Sequence, residues 1–272
     1  MPESRHPRDV MGAAHAPVDP AAARVVSLVP SITELLFDLN LGDSVVARTQ
    51  FCAHPKDKLE RLPSVGGTKK INMDRMRALA PTHVVLNVDE NTREMADALR
   101  DFVPNVIVTH PLLPRDNLDL YRMLGAIFDR EERAEALCQD FEKALRSVMT
   151  FAPRLRDRRV LYLIWKDPWM TVSPNTYIAR MLELVRWRTV STDTKVRYPT
   201  LQMTPALLEK TDIVLFSTEP FSFTEEHVDE FRDKFRTGRK TLRMIDGEMV
   251  SWYGSRAIQG LSYLRQAAAE TA

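Results

Sequence analysis

The chain has 272 residues, which at roughly 150 residues per domain corresponds to one large domain or two of ordinary size. It carries 38 basic and 37 acidic residues, a formal net charge of +1, and 44% of its residues are hydrophobic. This composition is typical of a globular protein and excludes both wholesale disorder and the basic excess expected of a nucleic-acid-binding protein. Only 9 residues are glycine, which disfavours phosphate sites built on glycine-rich loops.

The first 23 residues lack the pattern of a secretory signal. Charged side chains at Arg5, Arg8 and Asp9 are followed by alanines and prolines, without an apolar run ahead of a cleavage site. We therefore expect residues 1–23 to be a flexible leader and the protein to stay in the cytoplasm. Nowhere does the sequence approach the ~20 apolar residues of a membrane-spanning helix.

After Arg24, short β-branched runs alternate with segments whose apolar residues recur every three or four positions, as they do in α/β proteins. Ser31 and Glu34 have the spacing of a capping box at the start of the first helix. The irregular stretch from Thr49 to Ile71 is long enough to be a functional loop. The predicted strands are Val25–Val29, Val45–Ala47, His83–Leu86 and Val106–Val108, and the further predicted helices are Met73–Leu79 and Glu94–Phe102.

A single long helix is predicted over Glu131–Ala152, because its apolar residues follow the helical period for about 22 residues. A second alternation follows, with strands Val160–Ile164, Ile213–Phe216 and Leu242–Ile245 and helices Thr176–Trp187, Glu225–Phe235 and Arg256–Ala269. The sequence thus predicts two α/β lobes with mainly parallel sheets. The predicted divisions are the leader 1–23, an N-terminal lobe 24–128, a connecting helix 129–153 and a C-terminal lobe 154–272.

Parallel sheets present functional loops beyond the carboxyl ends of their strands, so binding residues are expected there. Three of the chain's 4 tryptophans fall in such segments, whereas Trp187 is predicted to be core. Aromatic side chains in these positions suit a broad, partly apolar ligand. Arg197 and Arg256 supply guanidinium groups for peripheral carboxylates, amides or phosphate on such a ligand.

The order of short motifs over residues 24–268 resembles the helical-backbone metal-receptor family, the substrate-binding proteins of cobalamin, haem and iron-siderophore uptake systems. The second-half motifs look most like the cobalamin-binding branch. The motifs are Arg24–Leu36, Cys52-x-His54-Pro55, Val65–Thr68 and Leu79–Pro81 in the first half, and Ile164–Pro168, Arg197–Pro199, Ser217–Pro220 and Trp252–Arg256 in the second.

The resemblance implies two Rossmann-like lobes joined by one long backbone helix, with a ligand cleft between the lobes. It implies a non-enzymatic monomer that binds a metal chelate, with cobalamin first and haem or a ferric siderophore next, and that has no cofactor of its own. Such a receptor delivers its ligand to an ABC-type permease or carries it in the cell. The family also gives the periplasm as the alternative to a cytoplasmic location.

Residues at the strand ends and in the family motifs form the expected site. Related receptors also dock on a permease through one exposed acidic residue on each lobe, for which Glu94 in the first half and Glu219 or Glu225 in the second are candidates. The expected ligand-binding residues are Ser31, Thr49, Cys52, His54, Gly66, Gly67, Trp165, Trp169, Arg197, Tyr198, Trp252, Tyr253 and Arg256.

Several of these residues allow a second interpretation. The aromatic residues Trp165, Trp169, Trp252 and Tyr253 either line the cleft or pack as ordinary core residues. Cys52 and His54 are either ligands of a bound chelate's metal or a small buried residue and an ordinary loop residue. Gly66 and Gly67 either let the backbone approach a ligand or only permit a turn with positive φ. An alternative function is a cytosolic cofactor-handling or metallocofactor enzyme on the same fold, although metal-protease, nucleophile-elbow and dinucleotide-binding motifs are absent. The basic run Arg154–Arg159 is expected to be a solvated connection.

Overall fold

The computed structural model describes residues 6–190, 193–238 and 240–271. The chain divides into two compact units. The first unit contains the chain through Pro111, residues 115–141 and residues 253–256. The second contains residues 112–114, residues 142–252 and the remainder from Ala257. Each unit is an α/β structure with a mainly parallel sheet, as predicted, and the long central helix contributes residues to both.

The first unit is built on a parallel sheet with the strand order β2-β1-β3-β4. All residues of β3 are buried, as expected for a parallel strand covered on both faces. The elements are β1 Val25–Ser27, α1 Pro30–Asp38, β2 Val45–Ala47, α2 Lys56–Leu59, α3 Met73–Leu79, β3 His83–Asn87, α4 Arg93–Arg100, β4 Asn105–Thr109, α5 Asp116–Ile127 and the first half of α6 Glu131–Phe151.

The second unit has the strand order β6-β5-β8-β9, and β7 pairs in parallel with the start of β5. Strand β6 is antiparallel to β5, whereas β8 and β9 continue the sheet in parallel. After α6 the elements are β5 Arg158–Trp165, β6 Met170–Thr171, α7 Tyr177–Glu183, β7 Trp187–Thr189, α8 Pro205–Glu209, β8 Ile213–Ser217, α9 Glu225–Phe235, β9 Thr241–Ile245, α10 Gly247–Ser251 and α11 Arg256–Ala269.

The predicted capping box at Ser31 is wrong. Helix α1 begins at Pro30, with Val29 as N-cap and no side-chain cap. A proline at the first helical position sacrifices no hydrogen bond, because that N–H has no partner within a helix. Glu34 points to another partner, the guanidinium of Arg256.

Residues 6–23, expected to belong to a flexible leader, instead pack on the first unit, so that expectation is wrong for them. The carboxylate of Asp9 accepts hydrogen bonds from the backbone N–H of Met11, of Ala13 and, at 3.0 Å, of Val108 in β4. The same carboxylate also contacts His15, whose Nε2 lies 3.2 Å from Asp9 Oδ2. Because β4 is an edge strand, the segment of residues 6–23 also satisfies polar backbone groups of β4 that would otherwise face solvent.

Other differences lie in the helices. Helix α5 and the short α2, α8 and α10 are additional to the predicted elements. The helix predicted over Thr176–Trp187 ends at Glu183, since Arg186 adopts a φ of 60° and the chain then enters β7. Trp187 is 1% exposed, which confirms that it is core. In the described part of the chain no helix is long and apolar enough to cross a membrane.

Candidate functional site

The candidate site residues of the first unit follow the carboxyl ends of β1, β2 and β3. An asparagine fixes two of these segments: Asn91 Nδ2 donates to the backbone oxygen of Leu28 at 3.2 Å and to that of Thr68 at 2.8 Å. Asn91 Oδ1 in turn accepts from the N–H of Asn87 at 2.8 Å. Next to this network the side chain of Val88 is 45% exposed, which is unusual for an apolar residue directly after a buried strand.

The loop after β2 contains Thr49, Cys52 and His54. Thr49 is buried, and Cys52 Sγ lies 3.3 Å from Thr49 Oγ1 and 3.2 Å from Thr33 Oγ1. Because this thiol is 8% exposed and held by two hydroxyls, the geometry favours the structural interpretation of Cys52 over metal ligation. His54 is half-buried and Phe51 is 56% exposed, so both side chains are more accessible than Cys52.

Gly66 and Gly67 form a tight turn. Gly66 has a φ of 120° and pairs with Ile71, and Gly67 donates its N–H to the oxygen of Lys70 at 2.8 Å. A Cβ on Gly66 would lie 2.7 Å from that same oxygen. The turn by itself therefore accounts for Gly66, whereas a Cβ on Gly67 would meet the ring of Phe51 at 3.1 Å.

Residues 253–256, which follow Trp252, belong to the first unit and are held there by hydrogen bonds. The hydroxyl of Tyr253 donates to Glu90 Oε1 at 2.6 Å, and Gly254, with a φ of 86°, donates its N–H to Asn117 Oδ1 at 2.6 Å. Tyr121 donates its hydroxyl to the Gly254 oxygen at 2.8 Å. Burial and the neighbouring Glu90 carboxylate raise the pKa of Tyr253 well above its usual value, so its hydroxyl stays protonated and remains a donor.

A buried ion pair connects α1 with the start of α11. Arg256 Nε donates to Glu34 Oε2 at 2.8 Å and Nη2 to Oε1 at 2.5 Å, so the guanidinium is bidentate. The two side chains are 8% and 13% exposed. Ser31, in the first turn of α1, is buried as well. This arrangement favours a structural role for Arg256, which we expected to meet the ligand.

The second unit presents an aromatic pair beyond β5 and β8. Trp165 ends β5 and is 40% exposed, and its ring meets that of Phe221 edge to face at 5.5 Å. His227 of α9 lies behind Phe221 at 5.4 Å between ring centroids. Lys166, the next residue along, forms an ion pair with Glu230 of α9 at 2.5 Å. The edge-to-face contact with Phe221 leaves the indole of Trp165 partly exposed at the end of the sheet.

The other expected residues of this unit are less accessible. Trp169 stacks on Phe223 at 6.1 Å and meets Phe231 edge to face at 5.5 Å, so it belongs to the apolar cluster that covers the sheet. Arg197 and Tyr198 are half-buried, in a segment whose backbone pairs with β6 and with the residues that follow it.

The side chains of Trp252 and Glu219 are joined by a hydrogen bond. Trp252 is 7% exposed, and its Nε1 donates to Glu219 Oε1 at 2.7 Å. Ser251 donates its hydroxyl to the same oxygen at 2.8 Å. Burial raises the pKa of Glu219, against these two hydrogen bonds, which act to lower it. Glu219 is thus engaged within its own unit, which makes it a poor candidate for a docking residue.

Glu94 and Glu225 are both exposed, and each lies at the start of a helix that follows an interior strand of its unit's sheet. Glu94 lies in the first turn of α4, which follows β3, and Glu225 begins α9, which follows β8. In each unit the preceding strand pairs on one side with the first strand of that unit and on the other with an edge strand. Acidic side chains also suit the positive end of a helix dipole, so their placement has a local stabilising effect too.

Three apolar side chains near the strand ends were not among the expected site residues: the exposed Phe51 and Val88 and the partly buried Phe221. Each follows a predicted strand within a few positions, and that signal alone could have identified them. Within the described ranges no group of three or more His, Cys, Asp or Glu side chains is arranged to hold a metal ion.

Two α/β units with parallel sheets, one long helix divided between them and aromatic side chains exposed beyond the strand ends define a two-lobed substrate-binding protein. The chain belongs to the periplasmic binding protein family, whose sequence pattern matches residues 25–239.

Relatives and solved structures agree with this assignment. The chain is 21% identical over 229 residues to the vitamin B12-binding protein of Vibrio cholerae serotype O1, covering 84% of this chain and 80% of that one. The crystal structure of a periplasmic vitamin B12 binding protein of Vibrio cholerae matches with a TM-score of 0.79 at 18% identity, covering 91% of this chain and 97% of that one. A periplasmic heme binding protein from Pseudomonas aeruginosa matches with a TM-score of 0.79 at 19% identity, covering 92% and 94%. At these identities the structural matches show the fold.

Proposed function

We propose that this protein is a receptor for a metal-chelate ligand, with cobalamin as the leading candidate, and that it delivers the ligand to an ABC-type permease. The observation that carries the proposal is the exposed indole of Trp165, which packs edge to face on the partly buried Phe221 at the carboxyl end of the second unit's sheet. The names of its relatives support the ligand class, since they bind vitamin B12 or haem.

The chemistry of such a ligand fits this surface. A corrin or porphyrin is a wide plate with apolar faces and polar edges, and an indole ring supplies both contact area and a polar edge. Phe51 and Val88 give the first unit exposed apolar side chains of its own beyond the strand ends. In this proposal the metal arrives as part of the ligand and is cargo, and the protein works as a monomer without catalysis.

Replacing Trp165 by alanine should weaken ligand binding by about 1–3 kcal/mol, or roughly 5- to 150-fold in Kd, because the ring is exposed in the free protein and available for stacking. Isothermal titration of the wild type and the variant with cobalamin measures the difference. Met149→Ala is the matched control, since Met149 is also an exposed apolar residue of the second unit but lies on α6. Equal affinities of all three proteins would contradict a binding role for Trp165.

Reversing the charge of Glu225 or Glu94 to lysine should reduce ligand uptake about tenfold or more without changing ligand affinity, because an interfacial ion pair becomes a repulsion. Uptake by a strain that depends on this receptor, alongside titration of the purified variants, separates the two effects. Glu226→Lys is the control, since Glu226 is the exposed neighbour of Glu225 on α9. Unchanged uptake in both variants would remove these two residues from the docking surface.

We place this activity in the periplasm, the compartment that gives the family its name. Cell fractionation with an antibody against the chain, together with mass analysis of its native amino terminus, tests this location. Recovery in the cytoplasmic fraction would instead favour an intracellular carrier of the same ligand.

A further inference from the structure

The second unit contains a basic pocket that the proposed receptor function does not use. It has a volume of about 390 Å³ and is lined by Lys143, Arg146, Ser147, Thr150, Phe151, Arg154 and Arg265. Four of these seven side chains are cationic, and no carboxylate is among the described residues that line the pocket. In a chain with 38 basic and 37 acidic residues, such a separation of charge is a local feature of this surface.

Two segments of the fold bring these cations together. On α6 and the turn that follows it, Lys143, Ser147, Thr150 and Arg154 recur at helical spacing, which places them on one face. Arg265 comes from α11, and its guanidinium carbon lies 5.9 Å from the centre of the Phe151 ring. A cation–π contact of this kind holds the guanidinium at the pocket instead of leaving it to move freely in solvent.

Ordinary helix electrostatics do not account for the cluster. Cations are favourable in the last turn of a helix, but the last turn of α6 contains none. Neighbouring carboxylates neutralise only part of the positive charge of this cluster: Arg146 pairs with Glu142 at 3.3 Å on the exposed surface of α6. The remaining positive charges repel one another, and a bound anion would relieve that repulsion.

We propose that this pocket binds a phosphate-bearing anion. Guanidinium groups donate parallel pairs of hydrogen bonds to phosphate oxygens, and the ammonium group of Lys143 and the hydroxyl of Ser147 add further donors, whereas the hydroxyl of Thr150 already donates to the Arg146 carbonyl oxygen at 2.8 Å. The pocket lies near Arg154, just before β5 begins, and so away from the strand ends that carry Trp165. The same chemistry serves free phosphates and phospholipid headgroups, which the experiment distinguishes.

The test uses inorganic pyrophosphate and vesicles as probes of the full-length protein. Titration calorimetry at low salt should show that the wild-type protein binds pyrophosphate. The variant Arg146→Gln/Arg265→Gln should bind pyrophosphate about tenfold more weakly or worse. An unchanged melting temperature shows that the variant is folded. Flotation with phosphatidylglycerol vesicles, against phosphatidylcholine vesicles, tests the headgroup source: binding that the same variant abolishes assigns the pocket to a membrane surface.

The control Arg180→Gln/Arg232→Gln removes the same charge from two exposed arginines of the second unit that pair with Glu183 and Asp229. It should retain wild-type affinity for whichever probe binds, and so should Trp165→Ala. The proposal is overturned if the wild-type protein binds neither pyrophosphate nor anionic vesicles. An equal loss in the control variant would also overturn it, because the binding would then reflect net charge and not this pocket.

Discussion

Substitution of Arg256 by methionine should lower the free energy of unfolding by about 3–5 kcal/mol. The guanidinium makes two hydrogen bonds to Glu34, and both side chains are largely removed from solvent. Methionine keeps the length and apolar contacts of the stem but leaves the Glu34 carboxylate without its charged partner. Urea denaturation followed by circular dichroism at pH 7 measures the change.

The double variant Glu34→Gln/Arg256→Met separates the ion pair from general packing. It removes the uncompensated carboxylate, so we expect it to recover a substantial part of the lost stability. If Arg256→Met instead costs less than about 1 kcal/mol while abolishing ligand binding, Arg256 acts on the ligand as we first expected and not on the fold.

Substitution of Asp9 by alanine should lower the free energy of unfolding by about 2–4 kcal/mol. Three backbone N–H groups and His15 lose their acceptor, and one of those N–H groups belongs to Val108 in the edge strand β4. Burial acts to raise the pKa of Asp9, but the hydrogen bonds outweigh it and lower the pKa overall. The stabilisation is therefore present at neutral pH and is lost as pH falls below the usual range of an aspartate.

Asp19→Ala is the matched control for Asp9→Ala. Asp19 is exposed and accepts a single hydrogen bond from the N–H of Ala21, so its loss should cost no more than about 1 kcal/mol. Hydrogen exchange at Val108 gives a local readout, which should speed up in the Asp9 variant only. Equal denaturation midpoints for both variants would contradict this prediction, because the contacts of Asp9 would then contribute no more than the single hydrogen bond of Asp19.

The sequence predicted elements well where the signal is local. Helix α9 matches its predicted bounds, helped by Thr224 and His227, which do form a capping box. Helix α3 and strand β2 also match, because their apolar pattern is interrupted on both sides by residues that end regular structure. The alternation of these elements was enough to give the α/β class and its mainly parallel sheets.

The sequence pattern could not predict interactions between residues that are far apart in the chain. Glu34 fits a capping box by spacing, but its partner Arg256 lies 222 positions away. Asp9 looked like part of a leader because its acceptor role depends on Val108, 99 positions later. In both cases a tertiary hydrogen bond overrides the local interpretation, and only the folded chain brings the partners together.

For the candidate site, residue type predicted the segments but not the accessible side chains. Trp165 is the last residue of β5 and Trp252 lies beyond β9, yet the first is 40% exposed and the second 7%. Trp252 donates to the partly buried carboxylate of Glu219, whereas Trp165 ends a strand and packs edgewise on Phe221. The exposure of Phe51 and Val88 was not expected, since an apolar residue next to a strand is ordinarily part of the core.

The most direct test of the proposed function is a titration of the purified protein with cobalamin, haem and a ferric siderophore under the same conditions. A receptor of this class should bind at least one of them, with cobalamin the tightest, at a Kd below about 100 μM, which corresponds to roughly −5.5 kcal/mol or better. If none of the three binds below about 100 μM, the assignment as a metal-chelate receptor is wrong.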